Sequence, residues 1–342
     1  MKKVFILFVS TLLAVSSCAV TKEQEKTPFM TRSFTASSIK EVEASTSGGS
    51  LTLTGDAGSK AIVEVYVSRN GWSDEKIKQV LNENYTIDIK VESGKLYVVA
   101  EQKKNNFNGN SQGLSISFKI TAPKQVNSNL QTSGGSIHIG YLSGSQNFKT
   151  SGGSLSIENV SGNTIGATSG GSITVTGSKD NIDLKTSGGS ITAKNCSGKI
   201  NLKTSGGSLR LSNLKGDIDA STSGGSVTVS DIKGTLKTGT SGGSMNLDGI
   251  SGNVDAHTSG GSMNVKIESV GDYVKLSNSG SLNLSLPSRK GYNLNVRANK
   301  IETTGLKDFH GNMESTNIEG TIGNGGAEIN VKSSQKVCIS FE

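Results

Sequence analysis

The sequence predicts an all-β chain: a parallel β-solenoid (β-helix) of 18-residue coils, held between a small α+β N-terminal cap and a β C-terminal cap. Three observations predict it. The pentapeptide Thr-Ser-Gly-Gly-Ser begins at Thr132, Thr150, Thr168, Thr186, Thr204, Thr222, Thr240 and Thr258, a constant period of 18 residues, and a fixed period of that size marks stacked coils. Apolar and polar residues alternate inside each unit. Of 342 residues 44 are Gly, 3 are Pro and only 32% are hydrophobic, a composition too lean for one thick core and without the Gly-X-Y period and proline of collagen.

Residues 1–17 read as a signal segment. Lys2 and Lys3 precede an apolar run from Val4 to Val15 that is too short to span a bilayer as a mature helix. The run ends in Val15-Ser16-Ser17-Cys18, which resembles the lipobox of bacterial lipoproteins, where the Cys is acylated and becomes the new N-terminus. Cys18 is therefore the expected lipid attachment site. Acyl chains bury methylene groups at about 0.8 kcal/mol each, and two or more of them anchor stably. An ordinary cleaved signal would instead leave a free thiol on an exposed tail. Residues 18–32 form a polar, lipidated tether. Ala19 is not Asp, which by resemblance to diderm lipoproteins implies the outer membrane, and Lys22-Glu23-Gln24-Glu25 resembles the surface-export tag of some Bacteroidetes lipoproteins.

Residues 33–131 form the N-terminal cap, with a further Thr-Ser-Gly-Gly-Ser at Thr46 standing out of step before the array. Strand-like runs cover Ala61 to Val67, Tyr85 to Val91, Leu96 to Ala100 and Leu114 to Thr121. Between the first two, Ser73 is placed to cap a short helix with Asp74 and Glu75 in its first turn and Ile77, Val80 and Leu81 on one face. Trp72 is expected beside that helix.

Residues 132–275 are the eight-coil array. With Thr as position 1, positions 6 and 8 are always apolar, as in Ile173/Val175 and Leu209/Leu211, and the residue between them is always polar. That is a strand with one buried face. Positions 15 and 17 mark a second strand, as in Ile182/Leu184 and Ile200/Leu202. Position 13 is Gly at 144, 162, 198, 216, 234 and 252 and Asp at 180, as a turn at positive φ requires. If each coil sits on the one before, every strand pairs in parallel with its copy 18 residues on, and eight coils rise about 38 Å. Gly-Gly then lets backbones stack at a corner, and the Thr and Ser columns bond from coil to coil. Pro123 precedes the array and Pro287 follows it, as expected when every interior N–H is in a ladder. Residues 276–342 keep strand alternation (Leu282, Leu284, Leu286; Ala327, Ile329, Val331) but lose the period, as a C-terminal cap must if sheet edges are not to grow.

The SGGSIHI-type units, the strand Phe118 to Pro123 leading into the first repeat, and the ending Gly320 to Val331 (GTIGNGGAEINV) together resemble the bacterial "putative adhesin" β-strand repeat family of envelope proteins. The resemblance covers about residues 33 to 342. It implies a solenoid fold and an envelope location.

Charge and side-chain chemistry narrow the function. The net charge of +7 is spread along the chain without the dense basic face that nucleic acids need. Asp183, Asp219 and Asp255 share position 16 on alternate coils, roughly 9.6 Å apart, which exceeds the carboxylate spacing of a retaining glycosidase and sits at the edge of the inverting range. They read as a solvated face. Arg210, His138, His257 and His310 are isolated. Cys196 and Cys338 lack metal-ligand or disulfide spacing, and the slot that holds Asp in calcium-binding glycine repeats is Ser here. Tyr141, Phe148 and Tyr273 are too few for a stacking platform, and the mixed residues at position 7 do not make the flat ladder of an ice-binding face. No catalytic, metal or cofactor residue is therefore expected. The expectation is a non-enzymatic cell-envelope lipoprotein, held by its lipid anchor, whose rigid repetitive scaffold serves adhesion or meets a polysaccharide or envelope protein. A polysaccharide-active β-helix enzyme with its site in the caps, and a passive spacer, are the alternatives.

Overall fold

The computed structural model describes residues 27–103, 113–288 and 291–342; the signal segment, Cys18 and most of the tether lie outside them. Among the described residues the chain is all-β with one α-helix, Asp74–Asn84, and one short 3-10 turn, Ala36–Ser38.

Through the array the strands pair in parallel with residues 18 positions on. Ile173 faces Ile191, which faces Leu209, which faces Val227; Ile182 faces Ile200, then Ile218, then Leu236. Positions 6, 8, 15 and 17 are thus buried columns, mostly aliphatic, running up one core. Large and small residues alternate where the column demands it. Phe148, buried at position 17, lies against Gly166 on the next coil, where an added Cβ would stand 2.2 Å from its ring. The strict step ends in the strand Met263–Asn278, which pairs with Met245–Thr258 through bulges: Ile250 meets Ile267 and Val254 meets Val274.

The repeat sequence earns its constancy at the corner. The second glycine of each pentapeptide sits on the carbonyl of its counterpart one coil below, leaving 2.0 Å between Gly171 Cβ, if one were added, and Gly153 O. The first glycine has 3.6 Å at Gly170. Thr168 Oγ1 donates to Gly153 O at 2.7 Å and accepts from Gly171 N at 3.3 Å, and the same pair of bonds recurs at Thr150, Thr186, Thr204, Thr222 and Thr240. Ser172 N donates to Ser154 Oγ, Ser190 N to Ser172 Oγ and Ser208 N to Ser190 Oγ. These columns satisfy backbone groups that a corner would otherwise leave orphaned.

One buried hydroxyl is left over. Thr164, fully buried at position 15, has no partner for Oγ1, whereas Gln146 beneath it bonds Val126 O and Ser128. An unsatisfied buried hydroxyl costs about 1–3 kcal/mol. Thr164→Val keeps the branched shape and is expected to raise stability by about 1 kcal/mol in denaturant unfolding.

The Thr46 copy, out of step in sequence, is in register in space: Thr46 faces Thr132, and Leu51 faces Ile137. Its other neighbours come later in the chain, since Val42 faces Leu96 and Leu51 also faces Phe118. The far end is interleaved in the same way. Leu282–Leu286 pairs with Lys336–Phe341, which in turn pairs with Lys300–Thr304. Antiparallel strands finish both ends: Lys60–Ser68 lies between Met30–Thr35 and Ser115–Pro123, and Asn317–Ile322 between Tyr292–Arg297 and Phe309–Met313. Near the N-terminal end Ser73 caps the helix by accepting from Lys76 N, and Ile77 and Leu81 are buried. At the other end burial pushes the Tyr292 phenol up to about 12, and its hydroxyl donates to Pro287 O at 2.6 Å.

Candidate interaction surface

Because partners recur every 18 residues, each outward position becomes a column of side chains about 4.8 Å apart. Some columns bond along themselves. Asn181 Nδ2 donates to Asn163 Oδ1, Asn213 to Asn195, and Asn283 to Asn264. Others change chemistry at nearly every coil, as at position 16, where Asp183, Asn201, Asp219, Lys237 and Asp255 follow one another.

The three aspartates are therefore held on alternate coils with a different residue between each pair. Asn201 Nδ2 donates to Asp183 at 2.9 Å, and Lys185 Nζ lies 3.2 Å from the same carboxylate. The other singled-out residues do not converge. His257 lies over Gly239, where an added Cβ would stand 2.1 Å from its ring; Arg210 is exposed between Thr192 and Thr228. Among the described residues no group of three or more His, Cys, Asp or Glu side chains is placed to hold a metal ion. Cys196 is buried, with burial pushing its thiol up, and neither it nor Cys338 is in a disulfide.

The aromatic residues are scattered in role as well as in place. Phe148 belongs to the core. Tyr141 is exposed, donates to Glu158 Oε1 at 2.7 Å, and is held above its ordinary pKa by that bond. Tyr273 carries Lys275 over its ring at 4.8 Å, and Trp72 is covered by Lys76 at 4.6 Å and Arg69 at 5.7 Å.

Grooves occur near both interleaved ends. One, of about 850 Å³, runs past Ile39, Lys40, Asp56, Lys124 and Val126. At the C-terminal end a groove of about 370 Å³ is lined by Lys275, Arg297 and Lys332, with Asn295, Asn330 and Asp255. Register explains this cluster. Ser277 faces Lys332, which faces Arg297; Lys275 faces Asn330, which faces Asn295. A second groove of about 490 Å³ shares Arg297 and Lys332 and continues past Ala298, Thr316 and Asn317.

Two features of the coil escape a strand-only reading. Position 10 is a second left-handed corner, at Tyr141, Asn159, Gly177, Asn195, Asn213, Asp231 and Gly249, and the run of Asn, Asp and Gly there is its sequence signal. Position 11 points inward, at Leu142, Val160, Ser178, Cys196, Leu214, Ile232 and Ile250. The basic cluster has no local signal, since its members are brought together by a chain that passes Arg297 before Lys332 and yet places Lys332 between Arg297 and Ser277.

Residues 172–335 match the family described as Toastrack DUF4097. Several solved structures are similar to the chain. One is a "putative cell adhesion protein" from Clostridium sporogenes, with 10% identity over 92% of this chain and 99% of that one, TM-score 0.22. A "putative adhesin" from Bacteroides fragilis has 19% identity over 75% and 95%, TM-score 0.30. A "putative lipid binding protein" from Parabacteroides distasonis has 17% identity over 76% and 97%, TM-score 0.32. No curated protein matches the chain.

Proposed function

Residues 172–335 match the Toastrack family DUF4097, and with that likeness as premise we propose that the chain is a non-enzymatic outer-membrane lipoprotein. In this reading Cys18 anchors it, and a rigid stack of 18-residue coils between two caps holds polar faces away from the membrane for adhesion. The observation that carries the reading is the outward columns. They are rigidly spaced and chemically varied, and the described residues singled out for chemistry stand apart on them. Evenly spaced weak contacts gain affinity through multivalency rather than through one deep pocket. The anchor is supported by Val15-Ser16-Ser17-Cys18 and by a polar stretch that ends where Met30–Thr35 enters the sheet.

Two measurements test it. Cys18→Ala is expected to abolish acyl labelling and leave the protein unprocessed, and an unchanged mature mass would sink the anchor. Protease or antibody applied to intact cells is expected to reach the stack, whereas complete protection would remove adhesion to anything outside the cell. Turnover of an envelope or extracellular polysaccharide by the purified protein would favour an enzyme instead.

A further inference from the structure

We propose that the C-terminal groove of Lys275, Arg297 and Lys332 binds the anionic groups of an acidic polysaccharide, so that this end of the stack is the part that grips. The inference rests on the anchored-scaffold reading and gives its ligand class. Arg297 and Lys332 face each other on neighbouring parallel strands, and like charges directly opposite are destabilising. Both are exposed, and neither forms an ion pair among the described residues. The contrast is local: Lys300 and Lys336, a few residues away along the same two segments, close on Glu302 at 2.9 and 2.7 Å and hold its carboxyl down at about 2. Lys275 adds a third cation, set over the Tyr273 ring, and the one carboxylate lining the groove is Asp255. Such a site is completed by an anion, for which an Arg fork beside a Lys is well matched.

The surroundings favour a polymer over a lone ion. Grooves of about 370 and 490 Å³ meet at Arg297 and Lys332, leaving room on both sides of the charge for the units that flank it. The side chains of Asn295, Asn330, Ser277 and Thr316 make no hydrogen bond within the described chain and are free to meet hydroxyls. Position argues against a membrane headgroup. Met30–Thr35, where the tether enters, lies at the opposite end of the stack, on the order of 40 Å away at one coil per 4.8 Å.

The test uses the full-length protein in detergent micelles, with polygalacturonate, dextran sulfate, neutral dextran, inorganic phosphate and phosphatidylglycerol nanodiscs as probes. Polygalacturonate or dextran sulfate is expected to bind in a salt-sensitive manner, at least tenfold more weakly in the double variant R297Q/K332Q and unchanged in K199Q on an earlier coil. Inorganic phosphate in excess is expected to compete. The double variant is expected to melt no lower than the parent, since it loses a repulsion, which separates lost binding from lost folding. Equal binding by R297Q/K332Q, equal binding of neutral dextran, binding of nanodiscs alone, or no binding of either anionic polymer would each overturn the proposal. Binding in solution is independent of where the protein resides, so protection on intact cells would remove the surface location and leave the site standing.

Discussion

Gly189→Ala is expected to destabilise the stack by at least about 3 kcal/mol, while Gly188→Ala, one residue earlier, costs about 1 kcal/mol or less. A methyl group at 189 would stand 2.1 Å from Gly171 O and 2.4 Å from its carbonyl carbon, both backbone atoms of the coil below. Nothing there is a side chain that can swing aside. The coil would have to lift, breaking the bond from Thr186 Oγ1 to Gly171 O at 2.7 Å and loosening that from Ser190 N to Ser172 Oγ at 3.3 Å. At 188 the nearest atom is Gly170 O at 3.5 Å, an ordinary contact. Denaturant midpoints of the two variants check the difference. Equal losses would mean that glycine is needed for flexibility rather than for close approach.

Deleting one whole coil, Thr186 to Lys203, should leave a protein that unfolds in a single transition. Ile182 would then face Ile218, Ile173 would face Leu209, and the Thr and Ser columns would close up across the cut. The cost is one rung of core plus Asp183 set against Asp219, a like-charge pair worth roughly 0.2–1 kcal/mol. Deleting only residues 186–194 has a different effect. Positions 6 and 8 would land on 15 and 17, so the strands still offer apolar faces, but the corners would not match. Thr204 would arrive where Asn195 has a φ of 53°, a conformation that β-branched residues resist, and buried Leu214 would take the place of exposed Ser205. The stack is expected to split at that junction into two blocks that melt separately and admit protease between them. A single transition in both deletions would count against coil-by-coil stacking.

The regular coils were legible because their signals are local and repeated. Alternation at Ile173/Val175 marks a strand by itself, eight copies fix the step, and Gly or Asp at position 13 states a positive φ that the backbone has, 110° at Gly198 and 79° at Asp180. The capped helix at Ser73 was legible for the same reason. What was not legible depends on order in space. Nothing near Thr46 says that its strand is shared between Lys95–Gln102 and Asn127–Thr132, because parallel pairing leaves no turn between partners to be recognised. Position 11 was hidden by its variety, since Ser178 and Cys196 break an otherwise aliphatic column. Arg297 and Lys332 are unremarkable in sequence and become a site only through the crossing of the last strands.

That crossing also sets a timetable. A plain coil could be laid down in the order of synthesis, each turn templating the next. Here Lys336–Phe341 must settle between Leu282–Leu286 and Lys300–Thr304, so the two flanking strands cannot close on each other while the last residues are still to come. Glu41–Thr46 likewise waits for Lys95–Gln102 and Asn127–Thr132 before either of its edges is covered. Each end of the molecule is therefore finished by residues distant in the chain from the strands they cover, and the C-terminal end only after Phe341 has been delivered. A chain cut short by even its final strand would leave a slot flanked by two open ladders, the geometry most apt to recruit a strand from another molecule.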